Sequence, residues 1–423
     1  MKRNYWIVAL ILLVFFVISF LTNIIGPLIP EIIRDFHVSL TMAALLPFCF
    51  FIAYGVFSIP AGMAVEKYKE KKVMIVAFFF SFIGAFLFSL FPSFSVALIS
   101  LFLIGSGMAM LQVAINPLLR VAGGEENFAF NSVAGQLAFG LASFLSPHMY
   151  SYLVINLDNY EELTHTNFLL DLFHEIIPVG LSWVSLYWIF AVVSILMFVI
   201  LSFIKFPIVN LKEDEKAGTW STYRKLFKNK TVILFFIGLF AYVGTEQGVA
   251  NWTSKFLEEY HGFEPRIEGA NAVSLFWGLL TVGCFLGLVL LKFIDSRKIL
   301  KIFTGAAIIS LTVGLFGSDY MSLWAFPMVG FFASVMYSVI FSLALNSISH
   351  YHGAFSGILC TAIIGGAFVP LIIGKIGDLV GLRGGMFFLY VTLGYIFSIG
   401  FWAKPLVNNK MINIKETANR HKK

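Results

Sequence analysis

Stretches of about 20 apolar residues, each bounded by a short polar segment, recur along the whole of this chain. One such stretch is long enough to cross the ~30 Å hydrocarbon core of a bilayer as an α-helix. Charge is correspondingly scarce, because Asp, Glu, Lys and Arg make up 12% of the residues against about 25% in soluble domains. With 59% hydrophobic residues and a mean hydropathy of +0.88, the sequence predicts an all-α, polytopic membrane protein.

Polar breaks divide the chain into twelve predicted spans, six before and six after a polar connector. Many secondary transporters have this arrangement, with two halves related by an axis along the membrane normal. We predict an N-terminal half (1–205), a cytoplasmic connector (206–230) with a short amphipathic helix, a C-terminal half (231–403) and a cytoplasmic tail (404–423). The predicted spans are residues 5–28, 40–65, 72–91, 94–121, 128–156, 181–205, 231–257, 270–293, 299–317, 321–347, 354–380 and 384–403.

The distribution of basic residues predicts the orientation. If both termini are cytoplasmic, 24 of the 29 Lys and Arg residues fall on the cytoplasmic side, as the positive-inside rule requires. The sequence pI of about 9.0 is then a topology signal and gives no support to nucleic-acid binding. We expect a multi-pass protein of the plasma (inner) membrane, surrounded by lipid.

The residues form no pattern typical of an enzyme or of a cofactor site. Cys49, Cys284 and Cys360 all fall in apolar spans, so neither a disulfide framework nor a metal site is predicted. A glycine-rich phosphate loop, a Ser/His/Asp set and a soluble segment long enough to bind nucleotide are all missing from the sequence. We expect a protein that is not an enzyme and uses no cofactor or metal.

The turn after the second predicted span resembles the loop between spans two and three of major facilitator transporters. Their usual pattern is Gly-xxx-Asp-Arg-x-Gly-Arg-Lys. Here Gly62 is followed by Glu66 and Lys67 in the acid and first Arg positions, by Lys69 where the second Gly would be, and by Lys71. The resemblance implies that Gly62, Glu66, Lys67 and Lys71 help to hold the cytoplasmic gate of an outward-facing state. A charged turn without a gating role is the alternative.

Longer stretches resemble the fucose/glucose/galactose permease family in register from the first span to the eleventh. The resemblance implies a major facilitator fold and a monomeric, proton-coupled monosaccharide importer that works by alternating access. The matching stretches are CFFIAYGVFSIPAG (49–62), LQVAINP (111–117), YVGTE (242–246), SLFWG (274–278), IFSLAL (340–345) and GILCTAIIGG (357–366).

Two departures from that family, a missing Asp and a missing Arg, affect functional positions, and Gln112 departs from the fucose-type members alone. Family members often carry an Asp shortly before the Leu-Ile-Pro of the first span, and here Leu28 is preceded by Ile25, Gly26 and Pro27. Fucose-type members have a Glu at the position of Gln112, although glucose/galactose-type members share the Gln. An Arg of span eight corresponds to Cys284. The usual sugar contacts therefore do not transfer directly.

Glu246 is the acidic residue that falls most clearly inside a predicted span, past the midpoint of residues 231–257. A carboxyl group at that depth costs about 3 kcal/mol to insert and faces a cavity or a partner. With no Lys or Arg at comparable depth, Glu246 is suited to bind and release a proton. Direct contact with substrate and a permanently protonated, structural role are the alternatives.

Amide side chains at helical spacing are candidates for substrate binding. Gln247 and Asn251 lie one turn apart and share about 140° of helix arc with Glu246. Sugar hydroxyls both donate and accept hydrogen bonds, as amides do, although amides also join helices inside membranes. The further candidates are Gln112, Asn116, Gln136 and Asn346, together with Trp277, which could stack on a sugar ring or pack in the core.

The sequence leaves several functions open. The favoured one is a symporter that carries a hexose or related sugar with a proton. A uniporter, a sodium-coupled carrier of another polar solute, a drug exporter and a sugar sensor that transports nothing are the alternatives.

Overall fold

A computed structural model describes residues 5–123, 128–163, 165–206 and 220–406. Most of the predicted connector and of the tail lies outside these residues. In the first half, the helices are α1 (Tyr5–Thr22), α2 (Ile25–Phe36), α3 (Leu40–Tyr68), α4 (Glu70–Leu90), α5 (Phe94–Gly123), α6 (Phe128–Asp158), α7 (Phe168–Ile176) and α8 (Ser185–Phe203). Helix α9 (Trp220–Leu226) lies in the connector.

The second half is built in the same way from spans that cross the bundle in alternating directions. Its helices are α10 (Lys230–His261), α11 (Ala270–Leu290), α12 (Ser296–Phe316), α13 (Asp319–Ala333), α14 (Met336–Leu345), α15 (His352–Thr361), α16 (Gly365–Val380), α17 (Leu382–Met386) and α18 (Phe388–Trp402).

The described residues form twelve spans, of which α1–α2, α13–α14, α15–α16 and α17–α18 are broken helices. Eleven spans are long and apolar enough to cross a membrane within the described residues. The remaining one, α6, has 31 residues and packs between α1 and α11. The twelve-helix, two-half architecture expected from the sequence is therefore confirmed. We call the face where α1 begins and α18 ends the terminal face, and the other the opposite face.

Apolar side chains cover the outer surface of the bundle. On α11, Val282, Leu286 and Val289 are exposed at intervals of four and three residues, so they share one face of the helix. Ile302 and Ile309 of α12 are exposed in the same way. In water such surfaces would drive aggregation, whereas in a bilayer they face the lipid chains.

The first span is longer than the sequence analysis predicted. It continues past residue 28 as α2, which begins at Ile25 and ends at Phe36. Pro27 lies in the first turn of α2. The N–H groups of a first turn have no partner within the helix, so a proline there costs no hydrogen bond. Helix α2 ends at His37, which has a φ of 50° and closes the helix in the left-handed conformation. The extension places Glu31 inside the helical bundle, where the prediction had put it in a loop.

Lys69, between α3 and α4, has a φ of 71° and a ψ of 159°. This backbone region is almost restricted to glycine, and another residue there costs about 1–3 kcal/mol. We expect Lys69→Gly to raise the stability of the detergent-solubilised protein by about 1 kcal/mol, measured as a higher midpoint of thermal unfolding. Lys67→Gly is the matched control, because Lys67 lies within α3 and glycine there costs about 1 kcal/mol. Equal destabilisation by both changes would contradict the prediction.

Candidate functional site

A cavity of about 380 Å³ lies between the two halves in the part of the bundle nearest the terminal face. The first half contributes Gln136 of α6, and the second half contributes residues of α14 and its C-terminal cap. Among the described residues, the lining offers hydroxyl, amide and aromatic groups and no charged side chain. The lining residues are Gln136, Tyr337, Ser338, Phe341, Ser342, Leu345 and Asn346.

The polar part of this lining is a stripe along one helix. Ser338, Ser342 and Asn346 are spaced four residues apart and so lie on one face of α14. Asn346 donates a 3.4 Å hydrogen bond to Ser342. The sequence analysis selected Gln136 and Asn346 but missed the two serines, although their spacing in the sequence indicates the stripe.

Glu246 lies near the middle of the 32-residue helix α10, because that helix runs beyond the predicted end of the span. Tyr242, one turn earlier, donates a 2.5 Å hydrogen bond to Oε2 of Glu246. The amide of Gln247 donates to Oε1 at 3.2 Å. From neighbouring helices, Cys284 of α11 and Tyr337 of α14 interact electrostatically with the carboxyl group. Among the described residues, no Lys or Arg interacts with it.

Tyr337 connects Glu246 with the cavity. Its ring lies 5.8 Å from the ring of Tyr242, and Tyr337 itself belongs to the cavity lining. On the other side its ring stacks on Phe341 at 5.8 Å. The carboxyl group of Glu246, which is half-buried, is therefore linked to the cavity lining through Tyr337.

Gln247 and Asn251, expected to contact substrate, are both buried and do not line the cavity. Gln247 uses its amide on Glu246 and packs against Gly366 of α16. Asn251 is 2% exposed, and its Nδ2 has no hydrogen-bond partner among the described residues. Both lie inside the protein in this conformation, and their contact with substrate stays a prediction.

Gln112 and Trp277 are not among the described residues that line the cavity. Gln112 is half-buried on α5, and the side chain of Asn116, on the same helix, lies outside the described part of the structure. Trp277 is buried with its ring edge-to-face against Phe276 at 5.2 Å. Its Nε1 lacks a hydrogen-bond partner within the described residues.

The predicted gating residues lie at the terminal face, on α3 and α4. Lys71 donates to the carbonyl oxygens of Ser202 and Ile204 at 2.9 and 2.7 Å, which fixes it to the end of α8. Lys67 lies over the ring of Tyr68. The half-buried Gly62 precedes both on α3. These lysine contacts therefore stay within the first half.

Glu66 is different, because it interacts with the connector. Burial, followed by the nearby Glu66 carboxylate, raises the pKa of Tyr223 in α9 to about 12. The Tyr223 hydroxyl also lies beside Gly357 of α15. The connector helix thus packs against α15 of the second half and lies close enough to Glu66 of α3 for their charges to interact.

At the opposite face, an ion cluster joins the halves. Arg266, just before α11, binds Glu31 of α2 at 2.6 Å and Asp158 of α6 at 2.5 Å. Glu31 is 1% exposed and also accepts hydrogen bonds from Tyr150, at 3.0 Å, and from Arg34. This cluster was not predicted, because Arg266 and Glu31 fall in separate predicted loops of the sequence.

A second polar contact closes the same face. The carboxylate of Asp378, near the end of α16, accepts hydrogen bonds from the backbone N–H groups of Leu40 and Thr41, both at 2.9 Å. The Thr41 hydroxyl donates to it at 2.5 Å. Asp378 therefore caps the N-terminus of α3 in the other half, where a negative charge is favourable.

The halves also meet closely where α2 packs on α10. A Cβ added to Gly26 would lie 2.3 Å from the carbonyl oxygen of Ala250. We expect Gly26→Ala to oppose this closure by about 1–3 kcal/mol and to increase the population in which the opposite face is open. The measurement is the distance between spin labels at the exposed positions 162 and 320, one in each half, in a cysteine-free background.

Gly305→Ala of α12 is the matched control, since nothing lies within 4 Å of its added Cβ. It should leave the distance distribution between the labels unchanged. A Gly26→Ala distribution identical to that of Gly305→Ala would show that this contact does not limit closure.

Comparison with known proteins agrees with this arrangement. The family model described as Major Facilitator Superfamily matches residues 11–369. The chain is 30% identical to the glucose/galactose transporter of Brucella abortus, over 93% of each chain. It is 26% identical to the L-fucose-proton symporter of Escherichia coli, over 90% of this chain and 89% of the relative. The crystal structure of FucP in the outward conformation superposes with a TM-score of 0.67 at 21% identity, over 94% of this chain and 98% of the other. The chain therefore belongs to the Major Facilitator Superfamily.

Proposed function

We propose that this protein is a secondary transporter that imports a monosaccharide together with a proton by alternating access. The observation that carries the proposal is the uncharged cavity of amides, hydroxyls and aromatic rings beside the carboxyl group of Glu246. The glucose/galactose and fucose-proton transporters among its relatives support the same substrate class and the same coupling ion.

The cavity lining suits a neutral polyhydroxylated solute. The amides of Gln136 and Asn346 and the hydroxyls of Ser338 and Ser342 can each donate and accept, as sugar hydroxyls require. Phe341 offers a flat apolar surface for the C–H face of a sugar ring. The described part of this lining offers an ionic solute no counter-charge, which favours an uncharged substrate.

Glu246 is the proposed proton carrier. Its side chain is deep in the bundle, where an ionisable group is costly and usually functional. Protonation of Glu246 changes the charge beside Tyr337, which lines the cavity. Gln112, Gln247, Asn251 and Trp277, which are not among the described lining residues in this conformation, are proposed to contact substrate when the halves rearrange. Asn116 is proposed to contact substrate as well.

The basic residues favour a cytoplasmic terminal face. With that orientation the conformation is inward-facing, because the ion cluster and Asp378 close the opposite face. The proposed moving bodies are the halves at residues 1–205 and 231–403, joined by the connector at 206–230 and followed by the tail at 404–423. We expect the interaction of Glu66 with Tyr223 to help hold the two halves together at the terminal face when that side closes. We propose that the transporter works as a monomer in the bacterial inner membrane.

The test is uptake of a panel of labelled monosaccharides into proteoliposomes, with and without an inward proton gradient. We expect at least one hexose to accumulate above its external concentration only when the gradient is present. Gradient-independent equilibration would establish a uniporter, accumulation driven by sodium alone a sodium-coupled carrier, and binding without uptake a sensor. Each of these outcomes would overturn proton symport.

A further inference from the structure

Tyr242 holds the Glu246 carboxyl group in a fixed position. Its hydroxyl lies 2.5 Å from Oε2, and its side chain is 3% exposed. Both residues belong to α10 and lie one turn apart, so the hydrogen bond needs no change in the packing of neighbouring helices. A tyrosine O–H is a strong donor to a carboxylate, and a hydrogen bond to the ionised form favours that form.

Tyr337 supports Tyr242 from the side of the cavity. The two rings are 5.8 Å apart with planes inclined by 57°, within the range of favourable aromatic pairs. Phe341 stacks on the other side of Tyr337. Phe341 and Tyr337 both line the cavity, and Tyr337 contacts the ring of Tyr242, whose hydroxyl binds Glu246.

The remaining neighbours of Glu246 do not replace this donor. Gln247 donates to the other carboxyl oxygen at the longer distance of 3.2 Å. Cys284 of α11 directs its thiol to the carbonyl oxygen of Ser334 at 3.3 Å. The groups that face Glu246 are thus Tyr242 and Gln247 from its own helix, Cys284 from α11 and Tyr337 from α14.

We infer that Tyr242 is a positioning residue that sets the proton affinity of Glu246, and that Tyr337 keeps Tyr242 in place from the cavity. This inference rests on the proposed role of Glu246 as proton carrier. It also links substrate binding to protonation. A solute bound against Tyr337 and Phe341 contacts the ring that packs on Tyr242, and so alters the hydrogen bond between Tyr242 and Glu246.

Infrared difference spectroscopy of the purified protein between about pH 4 and pH 10 tests the inference without a sugar. The carboxyl C=O stretch is assigned to Glu246 by its loss in Glu246→Gln. In Tyr242→Phe the ionised carboxylate loses a donor, so protonation should persist to higher pH. We expect the midpoint to rise by about one pH unit, and the pH profile of sugar uptake to move in the same direction.

Two further variants complete the experiment. Tyr337→Leu, which keeps the Tyr242 hydroxyl but removes its support, should raise the midpoint by a smaller amount. Tyr395→Phe is the matched control, because the Tyr395 hydroxyl donates to the backbone of α10 at Leu234; it should leave the midpoint unchanged. If Tyr242→Phe fails to fold, Tyr337→Leu carries the test.

The outcomes separate this inference from the proposed function. A Glu246 band whose midpoint is the same in wild type, Tyr242→Phe and Tyr337→Leu would overturn the inference, even if uptake remains proton-driven. A wild-type band that does not titrate would also overturn it. Failure of symport is read separately, from the uptake of the wild-type protein.

Discussion

Glu246→Gln is expected to abolish gradient-driven accumulation of sugar in proteoliposomes while exchange between internal and external sugar survives. Glutamine keeps the size and hydrogen-bonding shape of a protonated glutamic acid but cannot release a proton. A gradient of about one pH unit supports about tenfold accumulation if one proton moves per sugar. We expect the variant to fall from that level to equal concentrations on the two sides, measured with a labelled hexose.

The control for this change is Glu258→Gln on the same helix. Glu258 is bound to Lys255 at 2.7 Å near the opposite face and is partly exposed. The Glu258→Gln variant should therefore accumulate sugar as the wild-type protein does. If Glu246→Gln still accumulates sugar in response to the gradient, another group carries the proton. If both accumulation and exchange are lost, Glu246 belongs to the substrate site.

Arg266→Met is expected to shift the protein strongly towards a state with its opposite face open. Without Arg266, the carboxylate of Glu31 is left almost fully buried, with Tyr150 and the partly exposed Arg34 as its remaining partners. Breaking a buried pair costs about 3–5 kcal/mol, and the remaining partners should reduce this to about 2–3 kcal/mol. That corresponds to a population change of about 30-fold or more, read from the distance between spin labels at positions 162 and 320.

Two variants identify the cause of such a shift. Arg34→Met removes the other arginine that binds Glu31, but Arg34 is 54% exposed, so we expect a change of less than about 1 kcal/mol. The double variant Glu31→Leu with Arg266→Met removes both charges and should restore part of the closed population, because no buried charge remains unpaired. A double variant as open as Arg266→Met would show that burial of Glu31 is not the cause.

Local sequence patterns were sufficient to predict the spans and their order. Apolar segments near 20 residues are helical in a bilayer because every backbone N–H and C=O must be satisfied within the segment. The prediction failed at the first span, which it ended at residue 28, before the charged residues Glu31 and Arg34. The helix continues past that point, and α2 extends to Phe36, because these charges find partners within the bundle.

The candidate site was only partly accessible from the sequence. Glu246 is conspicuous in the sequence because a carboxyl group is rare in an apolar segment. Gln136 and Asn346 are conspicuous because amide side chains are also rare there. Gln247 donates a hydrogen bond to Glu246, and Asn251 is buried where α2 packs on α10. Both arrangements depend on the rotation of α10 about its own axis relative to the neighbouring helices. Helical periodicity gives relative positions around one helix and does not say which side faces the cavity.

The sequence by itself determined that this chain is a twelve-span, two-half membrane protein, and it indicated one intramembrane acid, because hydrophobicity and charge act along the local chain. Only the tertiary structure decided which polar groups meet. Arg266 and Glu31, 235 positions apart, and Asp378 and Leu40, 338 positions apart, are joined by the docking of two halves. Their pairing depends on that docking, because the energy of an ion pair or a cap is gained only at contact distance.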